Sequence, residues 1–66
     1  MNKLKLTRLL RELPQWDVAA KVGMSQAQFS NIERGRVEVG PDLKIRIARA
    51  LEAEVEEIFP EETKNG

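Results

Sequence analysis

Glycine and proline interrupt this chain so often that only short helices or strands fit between them. Pro14 disfavours helical geometry in the residue before it, and it is well suited to the start of a following helix. Gly23 stands where a glycine closes the last turn of a helix in the left-handed conformation, and Gly35 ends the next segment. Gly40-Pro41 is typical of a helix start, and Pro60 ends the last apolar segment. The pattern therefore predicts short elements with short connections.

Between these breaks, apolar residues recur mostly at three- and four-residue spacing, the period of a helix with one buried face. This periodicity predicts five helices: one ending before Pro14 with Asn2 as N-cap, then about 15–22, about 26–34, 41 to about 52, and a last turn or two before Pro60. Residues 35–40 are expected to form a loop, with a short strand as the less favoured alternative. The expected inward-facing residues are Leu4, Leu6, Leu9, Leu10, Leu13, Val18, Ala19, Val22, Phe29, Ile32, Leu43, Ile47, Ala48, Leu51, Val55, Ile58 and Phe59.

Length and composition restrict the class of protein. The length allows one domain, which we assign to residues 1–60, followed by an acidic tail at 61–66 that we expect to be disordered. The chain has no Cys and no His, which excludes disulfides and thiolate or imidazole metal sites. Ser25 and Ser30 have no evident base partner, so we expect neither an enzyme nor a cofactor. No apolar run approaches the length of a transmembrane helix, and we expect a soluble cytoplasmic protein.

The formal net charge is zero, which by itself argues against a nucleic-acid partner. The charges are, however, unevenly distributed along the chain. Residues 1–51 contain ten Lys and Arg against five Asp and Glu, a net charge of +5, whereas residues 52–66 contain one Lys against six Glu, a net charge of −5. A basic body with an acidic tail is compatible with nucleic-acid binding. An ordinary solvated surface with an acidic end explains the charges equally well.

The most specific feature is the connection Val22-Gly23-Met24-Ser25 between the second and third helices. A turn of about three to four residues containing glycine is typical of a helix-turn-helix, which holds its helices at about 90–120°. Ser25 and Gln28 match the capping-box pattern, so the third helix is expected to start at about Gln26. In such a unit the second helix enters the major groove of DNA with its N-terminus first. The expected fold is all-α: a compact bundle of about five short helices containing a helix-turn-helix.

With Phe29 and Ile32 inside, the third helix presents a small, polar outer face. Gln and Asn can pair bidentately with the N6/N7 edge of adenine, and an Ala methyl can pack on the thymine methyl. A merely solvated face would be rich in Glu and Lys in a chain that is 33% charged, so the uncharged positions favour base reading. The residues of this face are Ser25, Gln26, Ala27, Ser30, Asn31 and, at its end, Arg34.

The stretch from Gln15 to Arg36 resembles the helix-turn-helix of the lambda repressor/Cro-like (Xre) family. The family pattern is Gln-x-x-hydrophobic-Ala-x-x-hydrophobic-Gly-x-Ser/Thr, then a helix ending in hydrophobic-Glu-x-Gly. The sequence matches every position, including Gln15, Ser25 and Gly35, over 22 residues. The resemblance extends from about Leu4 to Phe59.

The resemblance implies a role for each matching residue. Gln15 would hold a phosphate at the start of the second helix and buttress Gln26, and helix N-termini favour anions in any case. Gln26, Ala27 and Asn31 would face base edges. Arg8 and Glu33 would form an internal ion pair joining the first helix to the third, which is a structural role. The implied DNA-binding set is Gln15, Ser25, Gln26, Ala27, Ser30, Asn31, Arg34 and Arg36, in which the serines flank the base contacts and the arginines contact the backbone or the neighbouring minor groove.

We therefore expect a transcriptional regulator, with repression as the favoured role. We expect it to bind double-stranded DNA as a homodimer without a small-molecule ligand. The alternative is a protein-interaction module of the same fold, such as an antitoxin-like or coactivator-like protein. In that case Trp16 and the acidic tail would be the working surface. For the homodimer, Val55, Ile58 and Phe59 are candidates for the interface, although core positions are the favoured interpretation.

Four residues depart from the family pattern. Pro14 replaces the usual polar cap of the second helix, and Glu54 replaces a usual Ser or Asp cap. Trp16 occupies a position where the family has a small or charged residue, and we expect it to pack locally, with DNA or a partner as alternatives. Glu52 occupies a position where Gly often closes the fourth helix. Because positive φ is uncommon for other residues, we expect this corner to differ.

Overall fold

The computed structural model describes residues 2–60, and in this range it contains five α-helices and no strand. The helices are α1 (Leu4–Leu10), α2 (Gln15–Val22), α3 (Gln26–Glu33), α4 (Pro41–Ala50) and α5 (Val55–Ile58). The predicted all-α bundle of five short helices is therefore confirmed, and residues 35–40 form the expected loop. The predicted disordered tail at 61–66 lies outside the described residues. None of the helices within 2–60 has the length and hydrophobicity that crossing a membrane requires.

Local signals set the ends of α2 and α3 where the sequence predicts them. Gly23 closes α2 with φ +88°, the left-handed conformation that glycine adopts without steric cost. The N–H of Gln28 donates to Ser25 Oγ at 3.1 Å, and the N–H of Ser25 donates to Gln28 Oε1 at 3.0 Å. The predicted capping box is therefore present at the start of α3.

Two helices end earlier than predicted, and the reason is the same in both. After α1 and after α4, Glu12 and Glu52 take the left-handed conformation, with φ of 55° and 54°. The expectation that the corner at Glu52 would differ for want of a glycine is wrong, because Glu52 adopts the glycine-like φ itself. The predicted cap of α1 is displaced by one residue: Lys3 is the N-cap, while Asn2 Oδ1 accepts from the Leu4 N–H at 3.0 Å.

A single core lies between the helices. Helix α2 packs against α3 and α4, and α5 packs against α1 and α4. Ile58 and Phe59 belong to this core, as the favoured interpretation predicts, and Val55 packs partly buried against it. The buried apolar residues are Leu4, Val18, Ala19, Val22, Phe29, Ile32, Ile47, Ala48, Leu51, Ile58 and Phe59.

The orientation predicted for α1 is wrong for three of its leucines. Leu6, Leu9 and Leu10 are exposed to 54%, 55% and 72%, whereas Thr7 and Arg8 are buried together with Leu4. Positions separated by three and four residues share one helix face, so Leu4, Thr7 and Arg8 form the inner face. Leucines cover more than one face of this helix, and their spacing alone does not decide which face turns inward.

Candidate nucleic-acid interface

The turn between α2 and α3 is fixed by backbone hydrogen bonds and by a side chain from α4. The Met24 N–H donates to the Ala19 carbonyl at 3.0 Å, and the Gly23 N–H donates to the same oxygen at 2.9 Å. Arg46 Nη2 donates to the carbonyl of Val22, and Val22 is the last residue of α2. A Cβ at Gly23 would come within 3.3 Å of Arg46 Nη2 and would meet a strained φ as well. The turn therefore sets the direction in which α3 leaves α2.

The N-terminal part of α3 is exposed, with Phe29 and Ile32 anchoring its other face in the core. Ser25, Gln26 and Ala27 are exposed, and Ser30 and Asn31 on the next turn are half-buried. Arg34 and Arg36 are exposed at the far end. The structure therefore brings the predicted base-facing residues onto one helix, with polar groups at its tip and cations beyond its end.

Gln15 connects the start of α2 to the tip of α3. Gln26 Nε2 donates to Gln15 Oε1 at 3.1 Å, which is the contact that the family resemblance implies. Gln15 Nε2 in turn donates to Glu33 Oε1 at 2.9 Å. The exposed amide of Gln26 is therefore linked through Gln15 to a carboxylate at the opposite end of α3.

The implied ion pair between Arg8 and Glu33 is present. Arg8 Nε lies 2.6 Å from Glu33 Oε2, and the two side chains are only 9% and 5% exposed. Arg8 Nη1 also donates to the Leu13 carbonyl at 2.9 Å. The guanidinium therefore joins α1 to the end of α3 and to the loop before α2.

Lys5 is a candidate contact residue that the sequence interpretation omitted. It lines a shallow cleft together with Gln15, Ser30 and Arg34, all three of which belong to the predicted set. Lys5 lies three residues before Arg8, so both occupy one side of α1. That spacing from Arg8 was the available signal, because Arg8 is the residue that the family resemblance ties to α3.

Trp16 does not pack locally as expected, because its side chain is 63% exposed. The inward face of α2 consists of Val18, Ala19 and Val22. Trp16 precedes Val18 by two residues, about 200° around the helix, and lies at the edge of the inward face. Contact with DNA or with a partner remains as the interpretation of this residue.

Comparison with known proteins gives one family and two relatives. The helix-turn-helix domain family matches residues 2–58. An uncharacterised HTH-type transcriptional regulator of Methanocaldococcus jannaschii is 38% identical over 58 residues, which is 88% of each chain. An uncharacterised HTH-type transcriptional regulator of Sinorhizobium fredii is 34% identical over 54 residues, 82% of this chain and 28% of that protein. With nearly all of its described residues matched, the chain belongs to the helix-turn-helix domain family.

Proposed function

We propose that this protein is a sequence-specific DNA-binding transcriptional regulator that reads the major groove with α3. The observation that carries the proposal is the exposed tip of α3, where the Gln26 side chain is held by the hydrogen bond that it donates to Gln15 of α2. A positioned amide can discriminate between bases, whereas a freely rotating one loses side-chain entropy on binding. Membership of the family and the names of both relatives support the same function.

In this proposal Gln26, Ala27 and Asn31 face base edges, and Ser25 and Ser30 flank them. Gln26 and Asn31 each offer an amide that can pair with adenine, and Ala27 offers a methyl group that can pack on thymine. Their positions on successive turns of α3 allow contacts to neighbouring base pairs. The half-buried position of Asn31 suits a group that approaches the base only after the helix tip has entered the groove.

The phosphate contacts surround this helix. Gln15 stands at the first position of α2, where backbone N–H groups at the helix end favour an anion. Arg34 and Arg36 are exposed beyond the end of α3, and Lys5 lies in the cleft beside Gln15. These contacts orient the protein on the duplex without selecting its sequence.

The protein acts as a homodimer and as a repressor in this proposal. One α3 reaches few base pairs, and two-fold dimers that read half-sites about 34–36 Å apart provide the missing affinity. The longest dimension of the domain is 32 Å, which is close to this spacing. A dimer seated on its operator excludes other proteins from the same DNA, which is the simplest route to repression.

The first test is selection of bound sequences from a random duplex library at one fixed, moderate salt concentration, because affinity depends on salt. We expect enrichment of a two-fold symmetric motif. Weak, salt-sensitive binding without enrichment would contradict base reading by α3. Such a result, together with a protein partner that binds at Trp16, would favour the protein-interaction alternative.

Two variants then separate base contacts from phosphate contacts. Gln26→Ala should lower affinity for the selected site by about 1–3 kcal/mol and remove the preference at one base pair. Arg36→Ala, the matched control, should weaken binding about equally for all sequences and reduce the salt slope by about 1. Uniform weakening by Gln26→Ala would contradict its assignment, and loss of preference at one base pair would contradict that of Arg36.

A further inference from the structure

We propose that Glu33 is a positioning residue for base recognition: its carboxylate fixes which atoms of Gln26 face the DNA and thereby selects adenine. The inference rests on the proposed reading of DNA by α3 and adds to it the base that Gln26 prefers. It also gives Glu33 a role beyond the ion pair that holds α1 to α3.

The first step is the hydrogen bond between Gln15 and Glu33. Arg8 Nε donates to Glu33 Oε2 at 2.6 Å, Arg8 Nη2 donates to Oε1 at 3.5 Å, and Gln15 Nε2 donates to Oε1 at 2.9 Å. The Glu33 side chain is only 5% exposed, so water has little access to either oxygen. A carboxylate paired with a guanidinium only accepts hydrogen bonds. Gln15 must therefore turn its NH₂ group, and not its oxygen, towards Glu33.

The second step concerns how the orientation of the Gln15 amide determines that of the exposed Gln26 amide. Because the NH₂ group of Gln15 faces Glu33, Gln15 Oε1 lies at the other side of the same amide, where it can only accept. Gln26 meets that oxygen at 3.1 Å through Nε2. The orientation of the exposed Gln26 amide is thus determined by a buried charge at the far end of α3.

The third step concerns the base. With one N–H donated to Gln15, Gln26 retains Oε1 and its second N–H. Adenine offers a matching donor and acceptor, N6–H and N7, in the major groove, whereas guanine offers two acceptors, O6 and N7. A reversed Gln26, with its oxygen towards Gln15, would expose two donors and suit guanine. A good bidentate pair discriminates by roughly 5- to 150-fold, so the polarity of the amide decides a large preference.

Two substitutions separate this role from simple support of the fold. Glu33→Gln keeps the shape of the side chain, but its amide oxygen must still face the Arg8 donors, so its NH₂ group turns towards Gln15 and reverses the amides of Gln15 and Gln26. Arg8→Lys, the matched control, weakens the same ion pair because Lys lacks the planar fork of donors. It nevertheless leaves Glu33 as an acceptor, and the polarity of the amides is unchanged.

The experiment compares affinities for the selected operator and for duplexes that differ only at the base pair read by Gln26. That base pair is the one whose preference Gln26→Ala removes. All measurements use one salt concentration and a temperature at which circular dichroism shows each variant to be folded. We expect the wild type to prefer adenine to guanine by roughly 5- to 150-fold. We expect Glu33→Gln to abolish or invert this ratio, and Arg8→Lys to retain the wild-type ratio even where its affinity is lower.

Three results would overturn the inference: a preference for guanine in the wild type, an unchanged ratio in Glu33→Gln, or an equal loss of the ratio in Arg8→Lys. If Glu33→Gln does not fold, Gln15→Leu interrupts the chain of amides and leaves the ion pair intact. The ratio should then fall as well, and a wild-type ratio in Gln15→Leu would contradict the inference. A wild-type protein without preference at any base pair would instead refute the proposed function itself.

Discussion

Replacing Arg8 by Met tests how strongly the fold depends on the ion pair beneath the proposed DNA-binding surface. The side chains of Arg8 and Glu33 are only 9% and 5% exposed. Arg8→Met leaves the Glu33 carboxylate with Gln15 as its remaining donor and removes the hydrogen bond to the Leu13 carbonyl. Removing one partner of a buried pair costs about 3–5 kcal/mol, because the other charge is left uncompensated.

This loss is large for a domain of this size. At about 0.05–0.15 kcal/mol per residue, a chain of 66 residues has a free energy of unfolding of roughly 3–10 kcal/mol. Arg8→Met should therefore remove between about a third and all of it. The double variant Arg8→Met/Glu33→Met should be more stable than Arg8→Met, because apolar side chains can replace a buried ion pair at little net cost.

Equilibrium urea denaturation followed by circular dichroism measures these free energies. Arg34→Met is the matched control, since Arg34 is exposed, and it should change the free energy of unfolding by no more than about 0.5 kcal/mol. A loss below about 1 kcal/mol for Arg8→Met would refute the reasoning, because exposed pairs contribute no more than that. A double variant less stable than Arg8→Met would refute it too.

Two further predictions concern stability. Glu52→Gly should raise the free energy of unfolding by about 0.5–1 kcal/mol, because it removes a left-handed strain of about 1–2 kcal/mol and adds the flexibility of glycine. Glu56→Gly within α5 should instead lower the free energy of unfolding by about 0.5–1 kcal/mol. Thermal melting shows whether each variant is more or less stable than the wild type, and a lower melting temperature for both would contradict a strained Glu52. In α1, Leu4→Ala should cost about 2–5 kcal/mol in urea denaturation, and Leu10→Ala no more than about 0.5, because only Leu4 is buried; equal costs would contradict the orientation of α1.

The boundaries of α2 and α3 could be predicted because their signals act within a few residues. Pro14 and Gly23 bracket α2, and Ser25 and Gln28 form a reciprocal cap whose partners are three residues apart. Such interactions depend little on the rest of the fold. The composition of the exposed face of α3 was predictable for the same reason, once Phe29 and Ile32 had fixed which side turns inward.

The orientation of α1 could not be predicted in this way, because it depends on a contact between residues far apart in the sequence. Leucine spacing alone allowed Leu6, Leu9 and Leu10 to face inward. The partner of Arg8 is Glu33, 25 residues later, and this pair draws the cationic side of α1 towards α3. The family resemblance implies this pair, whereas the periodicity of apolar residues does not distinguish between the faces of α1.

The left-handed residues Glu12 and Glu52 close their helices through local hydrogen bonds, in which the N–H groups of Leu13 and Ala53 donate to the carbonyls of Arg8 and Ala48 at 3.1 and 2.9 Å. Arg11, at the end of α1, donates to the Glu52 carbonyl at 3.4 Å and lies 3.8 Å from a Glu57 carboxylate oxygen. The two helix ends therefore meet and support each other. A rule based on single residues predicts glycine at such positions, whereas these two helix ends contain glutamate at a cost in strain.

The smallness of the domain explains why fold and site share residues. A chain of this size buries only about 60% of the surface that it exposes when unfolded. A polar side chain that contacts the core is therefore also close to the surface. Glu33 accepts from the guanidinium that holds α1 through both oxygens, and Oε1 also accepts from the Gln15 amide that holds Gln26. A substitution that loosens α1 through Glu33 therefore reaches the DNA-facing amide through two hydrogen bonds. For this reason, stability and base preference have to be measured on the same variants, since either measurement alone would assign Glu33 to only one of the two roles.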